Sequence, residues 1–138
     1  MANEIRVGKI SAIDYAAGTV RVVYHDQDDA VTPSLPLLSG EYHMPEVGDA
    51  VLVLHLSNGM EAGVVLGRCW SDKNKPPEGK AGLYRKDLGR TPGEAMIRYD
   101  GGTLAIQCTG AVQITAGGGL TIAGGGAVKI NGATIDLN

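Results

Sequence analysis

Residues 102–138 read GTLAIQCT, GAVQITAG, GGLTIAGG, GAVKINGA and TIDLN, which is an eight-residue repeat. Each of the four full units opens with glycine and carries two apolar residues two positions apart. The apolar residues are Leu104, Ile106, Val112, Ile114, Leu120, Ile122, Val128 and Ile130. A spacing of two is the period of a β-strand, and glycine enters tight turns at the lowest steric cost. Each unit is therefore predicted to form one short strand and one tight turn.

The repeat predicts an assembly of several chains. A strand with two apolar residues cannot bury them alone. A single-chain parallel solenoid needs several sides in each coil, and its coil is longer than eight residues. The repeat therefore favours three intertwined chains that form a triangular prism, with the eight apolar residues as the trimer core. Two alternatives remain, a monomeric sheet packed on the preceding domain and a disordered Gly-rich tail, and the strict alternation argues against the second.

The alternation changes phase at the end of the chain. Ile135 and Leu137 are odd-numbered, whereas all earlier apolar pairs are even-numbered. One extra residue around Asn131, Gly132 and Ala133 is therefore predicted to form a bulge or a tighter turn.

The composition limits the size of the core and the kinds of partner. A chain of 138 residues has room for one ordinary domain and an accessory piece. It contains no Phe and one Trp, so its core must come from Val, Ile and Leu, which suits thin β structure. The net charge of −3 predicts no general attraction to nucleic acid. Cys69 and Cys108 are predicted to be buried small residues and not a disulfide.

Neither a membrane span nor a signal peptide is predicted. No stretch approaches the length that crosses a bilayer, and the start MANE is charged. We therefore expect synthesis in the bacterial cytoplasm without a signal peptide.

Residues 1–70 are predicted to form a small closed barrel. Turn residues separate short Val- and Leu-rich runs, and Asn58-Gly59 is a strong hairpin signal. The predicted strands cover residues 5–13, 19–24, 34–38, 50–56 and 60–69. Residues 71–100 are polar and hold seven of the twelve basic residues, interleaved with acidic ones. They are predicted to be a solvated connector that ends in a leading strand at residues 96–99, before the repeat domain of residues 101–138.

Several segments resemble the phage baseplate assembly protein V family, the central tail-spike proteins of contractile-tailed phages and related contractile injection systems. They are MPEVGDAVLV at residues 44–53, GVVLG at 63–67, GTVRV at 18–22 and the exit at 71–77. The resemblance covers essentially the whole chain, through the order of its parts. Residues 127–138 are also similar to the end of the spike protein in type VI secretion.

The resemblance implies an all-β chain with an N-terminal OB-fold barrel and a C-terminal trimeric triple-stranded β-helix. It implies a structural spike in the baseplate of a virion or injection particle, which pierces the target cell envelope when the sheath contracts. The implied partners are two further copies in a homotrimer, baseplate hub proteins and, transiently, the target membrane.

The tip departs from the family pattern. Many short phage spikes hold iron at the tip through a His-x-His pattern, but the histidines here are His25, His43 and His55, all before the repeat. The resemblance therefore implies a blunt end without metal, where a separate tip-capping protein docks. The predicted docking residues are Ile135, Leu137 and Asn138.

The sequence carries no complete motif for catalysis, nucleotides or metals. Gly79-Lys80 lacks the rest of a phosphate loop, and no paired-cysteine or zinc-protease motif occurs. The acidic run of residues 26–29 lacks the glycine and distal glutamate of a calcium loop, so a solvated loop is favoured. His55 is predicted to be structural. The predictions are no enzyme activity, no catalytic residue, no metal and no cofactor.

Two functions compete at this point. One is the structural spike, and the other is an OB-fold module that binds an oligosaccharide or single-stranded nucleic acid, with an oligomerisation tail. The second needs a basic groove with aromatic platforms. Residues 4–70 offer four basic residues, Arg6, Lys9, Arg21 and Arg68, against more acidic ones. The spike is therefore favoured, with no nucleic acid as partner.

Overall fold

The computed structural model describes residues 4–38, 40–56 and 63–138, and this part of the chain is all-β. The chain divides into two compact units, Met1–Glu78 and Gly79–Asn138. One short 3₁₀ turn covers His25–Gln27. The strands are β1 Glu4–Asp14, β2 Thr19–Tyr24, β3 Ala30–Val31, β4 Leu35–Pro36, β5 Ala50–His55, β6 Gly63–Gly67, β7 Tyr84–Asp87, β8 Ala95–Asp100 and β9 Thr103–Cys108. No helix in the described part is long and apolar enough to cross a membrane.

The first unit is one antiparallel sheet in the order β3-β2-β1-β5-β6, with β4 also paired to β2. Leu37 follows β4 and makes a parallel bridge to Val65 of β6. The amide of Leu38 donates a hydrogen bond of 2.9 Å to the carbonyl of Val65. Because β4 pairs with β2 and Leu37 with β6, the two edges of the sheet meet at this point.

The core of the first unit is made almost wholly of branched aliphatic residues. Its members are Ile10, Val20, Val22, Tyr24, Leu35, Val51, Val53 and Val65. Thr32 is buried beside them, and its hydroxyl accepts the amide of Val22 and donates to the carbonyl of Pro33. Both hydrogen-bonding functions of that hydroxyl are therefore satisfied in the core.

The predicted strands of the first unit are largely confirmed. Residues 5–13 and 19–24 lie in β1 and β2. The strand predicted over 50–56 is β5, which ends at His55, and the strand predicted over 34–38 is reduced to β4 and the bridge at Leu37. The return strand predicted over 60–69 is β6. The Asn58-Gly59 turn falls outside the described residues. The predicted burial of the cysteines is wrong, because Cys69 and Cys108 are free and exposed.

The second unit contains an antiparallel sheet in the order β7-β8-β9. Gly101 and Gly102 form the turn between β8 and β9, and both have positive φ, at 58° and 86°. The leading strand predicted at residues 96–99 is confirmed as β8, and β7 is a further strand within the predicted polar connector of residues 71–100. The first repeat unit supplies β9. The strands predicted for the later units are not formed in the single chain, where residues 111–138 are neither strand nor helix and are all exposed, because a lone strand has no neighbour to pair with.

Candidate functional site

The main candidate site is the apolar ribbon, which we define as the eight predicted trimer-core residues together with Ile135 and Leu137. Every one of these side chains is exposed in the single chain, from 49% at Ile135 to 87% at Leu137. Exposed apolar surface of this length is rare on a protein that stays monomeric, and it marks interaction surfaces. The structure therefore leaves all the predicted trimer-core residues available to a partner.

The three-stranded sheet of the second unit carries an apolar face next to the ribbon. Residues directly opposite on paired strands share one face of a sheet. Tyr84 lies opposite Tyr99, and Tyr99 lies opposite Leu104. Two residues further along the strands, on the same face, Ile97 lies opposite Ile106. We call these five residues the apolar face.

The other face of the same sheet is charged. Arg85 donates two hydrogen bonds to the carboxylate of Asp87, of 2.8 and 2.9 Å, and the amide of Gly93 donates a third. These hydrogen bonds from Arg85 are the main reason why the pKa of Asp87 is lowered.

A second ion cluster lies around Asp100. The ammonium of Lys80 lies 2.6 Å from its carboxylate, and Arg98 lies 3.2 Å away. The hydrogen bond from Lys80 is the main reason why the pKa of Asp100 is lowered. The ion pairs therefore lie on one face of the sheet, and the other face is apolar except for Lys86, which lies opposite Ile97.

Two histidines of the first unit are paired, one with an acidic residue and the other with a tyrosine. Nδ1 of His25 lies 2.6 Å from the Asp29 carboxylate, and Nε2 of His55 lies 2.6 Å from the hydroxyl of Tyr24. The second hydrogen bond agrees with the structural role predicted for His55. Within the described residues, no three His, Cys, Asp or Glu side chains are grouped so that they could hold a metal ion.

Known families give no further guide to the site. No family model matches the chain, and no curated protein matches it. The function of the chain must therefore be inferred from its residues and their arrangement.

A second exposed apolar surface lies on the first unit. Ile5 and Val7 of β1 are each 65% exposed, and Leu66 of β6 is also exposed. Leu54 lies opposite Ile5, and Leu52 lies opposite Val7. The outer surface of β1, β5 and β6 is therefore apolar, a feature that the sequence analysis missed.

The sequence analysis also missed Tyr84, Ile97 and Tyr99 as candidate site residues. For Ile97 and Tyr99 the signal was the stretch AMIRYD of β8, where these two residues alternate with Arg98 and Asp100. It was hidden by the high charge of the surrounding segment, which is typical of a solvated linker.

Proposed function

We propose that this protein is the structural central spike of a contractile-tail baseplate, which pierces the target cell envelope. The observation that carries the proposal is the exposed apolar ribbon over residues 104–137. A ribbon with this period needs partner chains, and two further copies supply identical strands. The proposal assigns no catalytic residue, metal or cofactor to the chain.

Burial of the ribbon supplies the driving force for a homotrimer. Removing apolar groups from water stabilises an assembly by about 0.8 kcal/mol for each CH₂ group. Each chain offers ten Leu, Ile and Val side chains in the ribbon. In a triple-stranded β-helix, each chain forms one side of a prism at each level, and the glycine turns form its corners.

The first unit fits the OB-fold barrel that the family resemblance implies. Support comes from its short strands, its aliphatic core and the meeting of its two sheet edges at Leu37 and Val65. In the proposal this barrel contacts baseplate hub proteins. The particle is a virion or a related injection particle, and its spike is made in the bacterial cytoplasm.

A closed prism suits the mechanical task. Hydrogen bonds between stacked strands would run along the axis, so that axial load compresses bonded layers around a dry core. Closure leaves no open sheet edge along the sides of the rod during its transient contact with the target membrane. The polar residues Thr103, Gln113, Thr121 and Lys129 would face outward.

The tip of the rod is the proposed docking site for a separate capping protein. Ile135, Leu137 and Asn138 are all exposed. The last strands of the prism would have free backbone groups on one edge, which a cap can pair with. Removal of residues 134–138 should therefore abolish cap docking while the trimer and the first unit remain intact.

The alternative function, a ligand-binding barrel, has one observation in its favour. Tyr15 and Tyr42 are both exposed, and the hydroxyl of Tyr42 donates to the carbonyl of Tyr15 at 3.0 Å. Exposed aromatic rings can stack on bases or sugars. The net charge of −3 makes an anionic ligand unfavourable, so this function ranks second.

Sedimentation of the full chain tests the proposed assembly. We expect a species of three times the chain mass of 14.3 kDa. A folded monomer at micromolar concentration would reject the trimer and, with it, the spike. Electron microscopy of assembled particles then tests the role, because the protein must lie on the central axis of the tail.

A further inference from the structure

We propose that the first unit carries a binding site for a neutral oligosaccharide at the end where β1 and β6 finish, with Tyr15, Tyr42 and Trp70 as its stacking platforms. This is a second role beside the proposed spike, and it uses no residue of the ribbon or of the second unit. The ligand class is a chain of uncharged sugar rings.

All three exposed aromatic side chains of the first unit lie at the same end. β1 and β6 are both antiparallel to β5, which lies between them, so they run in the same direction. Tyr15 follows the last residue of β1, and Trp70 follows β6 by three residues. Tyr42 lies at this end too, because its hydroxyl donates to the carbonyl of Tyr15. The fourth aromatic residue, Tyr24, is buried and ends β2, which runs antiparallel to β1.

The ring of Tyr42 is held in place and yet open to solvent. Its hydrogen bond to the Tyr15 carbonyl is 3.0 Å long, while the residue is 72% exposed. The segment around it is also held, since Met44 packs against the core and the amide of Gly48 donates to the carbonyl of Ile10 at 2.8 Å. Holding an exposed ring costs side-chain entropy and buries little apolar area. A ligand that stacks on such a ring binds to a group that is already ordered.

The charges at this end favour a neutral ligand. Residues 14–18, 40–49 and 67–70 contain four carboxylates and one guanidinium, that of Arg68. Arg68 lies 3.7 Å from the carboxylate of Asp49 and is therefore already paired. Proteins that bind single-stranded nucleic acid combine stacking with a basic groove, which these residues do not supply. A sugar ring stacks on tyrosine and tryptophan through its C–H face, and its hydroxyl groups can donate to carboxylates.

The single tryptophan of the chain allows a direct test, because its fluorescence reports on the proposed site. Titration of the full chain with chitohexaose and with maltohexaose, two neutral hexasaccharides, should shift the emission of Trp70 to shorter wavelength until the site is saturated. Tyr42→Ala should weaken binding by at least about tenfold, the size of one stacking contact. Val31→Ala, which shortens an exposed apolar residue next to the buried end of β2, should bind like the wild type.

Two phenylalanine variants separate a held ring from a merely exposed one. Tyr42→Phe keeps the ring but removes its hydrogen bond to Tyr15, so we expect binding to be about threefold weaker. Tyr15→Phe keeps both its ring and the carbonyl that accepts this hydrogen bond, and it should bind like the wild type. Calorimetric titration measures both variants without relying on the signal of Trp70.

Three results would overturn the site. They are the absence of saturable binding for both hexasaccharides, equal binding by Tyr42→Ala and Val31→Ala, and tighter binding of a thymidine dodecanucleotide than of either sugar. None of these results alters the mass of the wild-type assembly, so sedimentation judges the spike separately. Tyr42→Ala should also sediment like the wild type, and its dissociation would assign Tyr42 to the assembly and reject the sugar site.

Discussion

The hydroxyl of Tyr24 lies 2.6 Å from Nε2 of His55, and this hydrogen bond joins β2 to β5 across the intervening strand β1. The two rings meet edge to face, with their centroids 5.8 Å apart. The guanidinium of Arg6, on β1, lies 5.2 Å from the centroid of the Tyr24 ring. Burial is the main cause that raises the pKa of Tyr24, so its hydroxyl keeps its proton at neutral pH. Three adjacent strands are thus tied together at this end of the first unit.

This link depends on the absence of a side chain at Gly8. A Cβ atom there would lie 2.8 Å from the ring of Tyr24 and would also collide with Val22. Gly8→Ala should therefore destabilise the first unit by about 1–3 kcal/mol, the usual cost of overpacking a core. Thermal unfolding followed by circular dichroism measures the effect.

Gly40→Ala is the matched control for the Gly8 substitution. A Cβ atom at position 40 would meet no atom within 4 Å beyond its chain neighbours, and the residue has no positive φ. The free energy of unfolding of this variant should therefore stay within about 0.5 kcal/mol of the wild-type value. Equal melting of the two variants would contradict the packing of Tyr24 across β1.

Removal of the Tyr24 hydroxyl tests the hydrogen bond itself. Tyr24→Phe keeps the ring but leaves Nε2 of His55 without this partner, and we expect a loss of about 0.5–1.5 kcal/mol in the free energy of unfolding. Tyr15→Phe removes an exposed hydroxyl and should change little. Urea unfolding of both variants at pH 7 separates the two outcomes, and equal midpoints would reject the contribution of the bond.

The Arg85–Asp87 pair should make the second unit less stable in acid. The pKa of Asp87 is lowered in the folded state, so this residue contributes stability that is present above the unfolded value of about 3.9. That contribution is lost as the pH falls through the lower folded value. Because the pair lies near the surface, we expect at most about 1 kcal/mol.

Unfolding measured between pH 7 and pH 2 checks the role of Asp87. Asp87→Asn should be less stable than wild type at pH 7 and should lose less stability in the acid range. Asp72→Asn, at an exposed position outside the sheet, should keep the wild-type acid response. Parallel curves for Asp87→Asn and wild type would show that the ion pair adds nothing.

A charge within the ribbon tests the proposed trimer core. Ile122→Asp would bring three carboxylates together inside the prism, and unpaired buried charge is costly. We expect a trimer that melts at a far lower temperature, while the first unit still unfolds as in the wild type. Thr121→Asp is the control, because its side chain would face outward. If the two variants melt alike, the assignment of inside and outside is wrong.

The strands of the first unit could be predicted because their signals are local. Alternating Val residues and the glycine at position 18 mark β2 and the turn before it, and the structure has them there. The same rule predicted the strand at residues 96–99, which is β8, but it missed β7. That strand is recognised only when it pairs with β8, since charge in the sequence gives the same signal for a linker and for one face of a sheet.

The sequence by itself determined the all-β class, the eight-residue repeat and the spacing of the apolar residues within it, because strand period and turn chemistry act over a few residues. Only the tertiary structure decided which side of each strand is buried. Along β1, Ile5 and Val7 face outward, whereas Gly8 and Ile10 face the core. Alternation means that neighbouring residues along a strand point to opposite sides of it. Which of the two sides is buried depends on residues that are distant in the sequence. Here the ring of Tyr24 occupies the space above Gly8, and that contact sets the inner face of the strand.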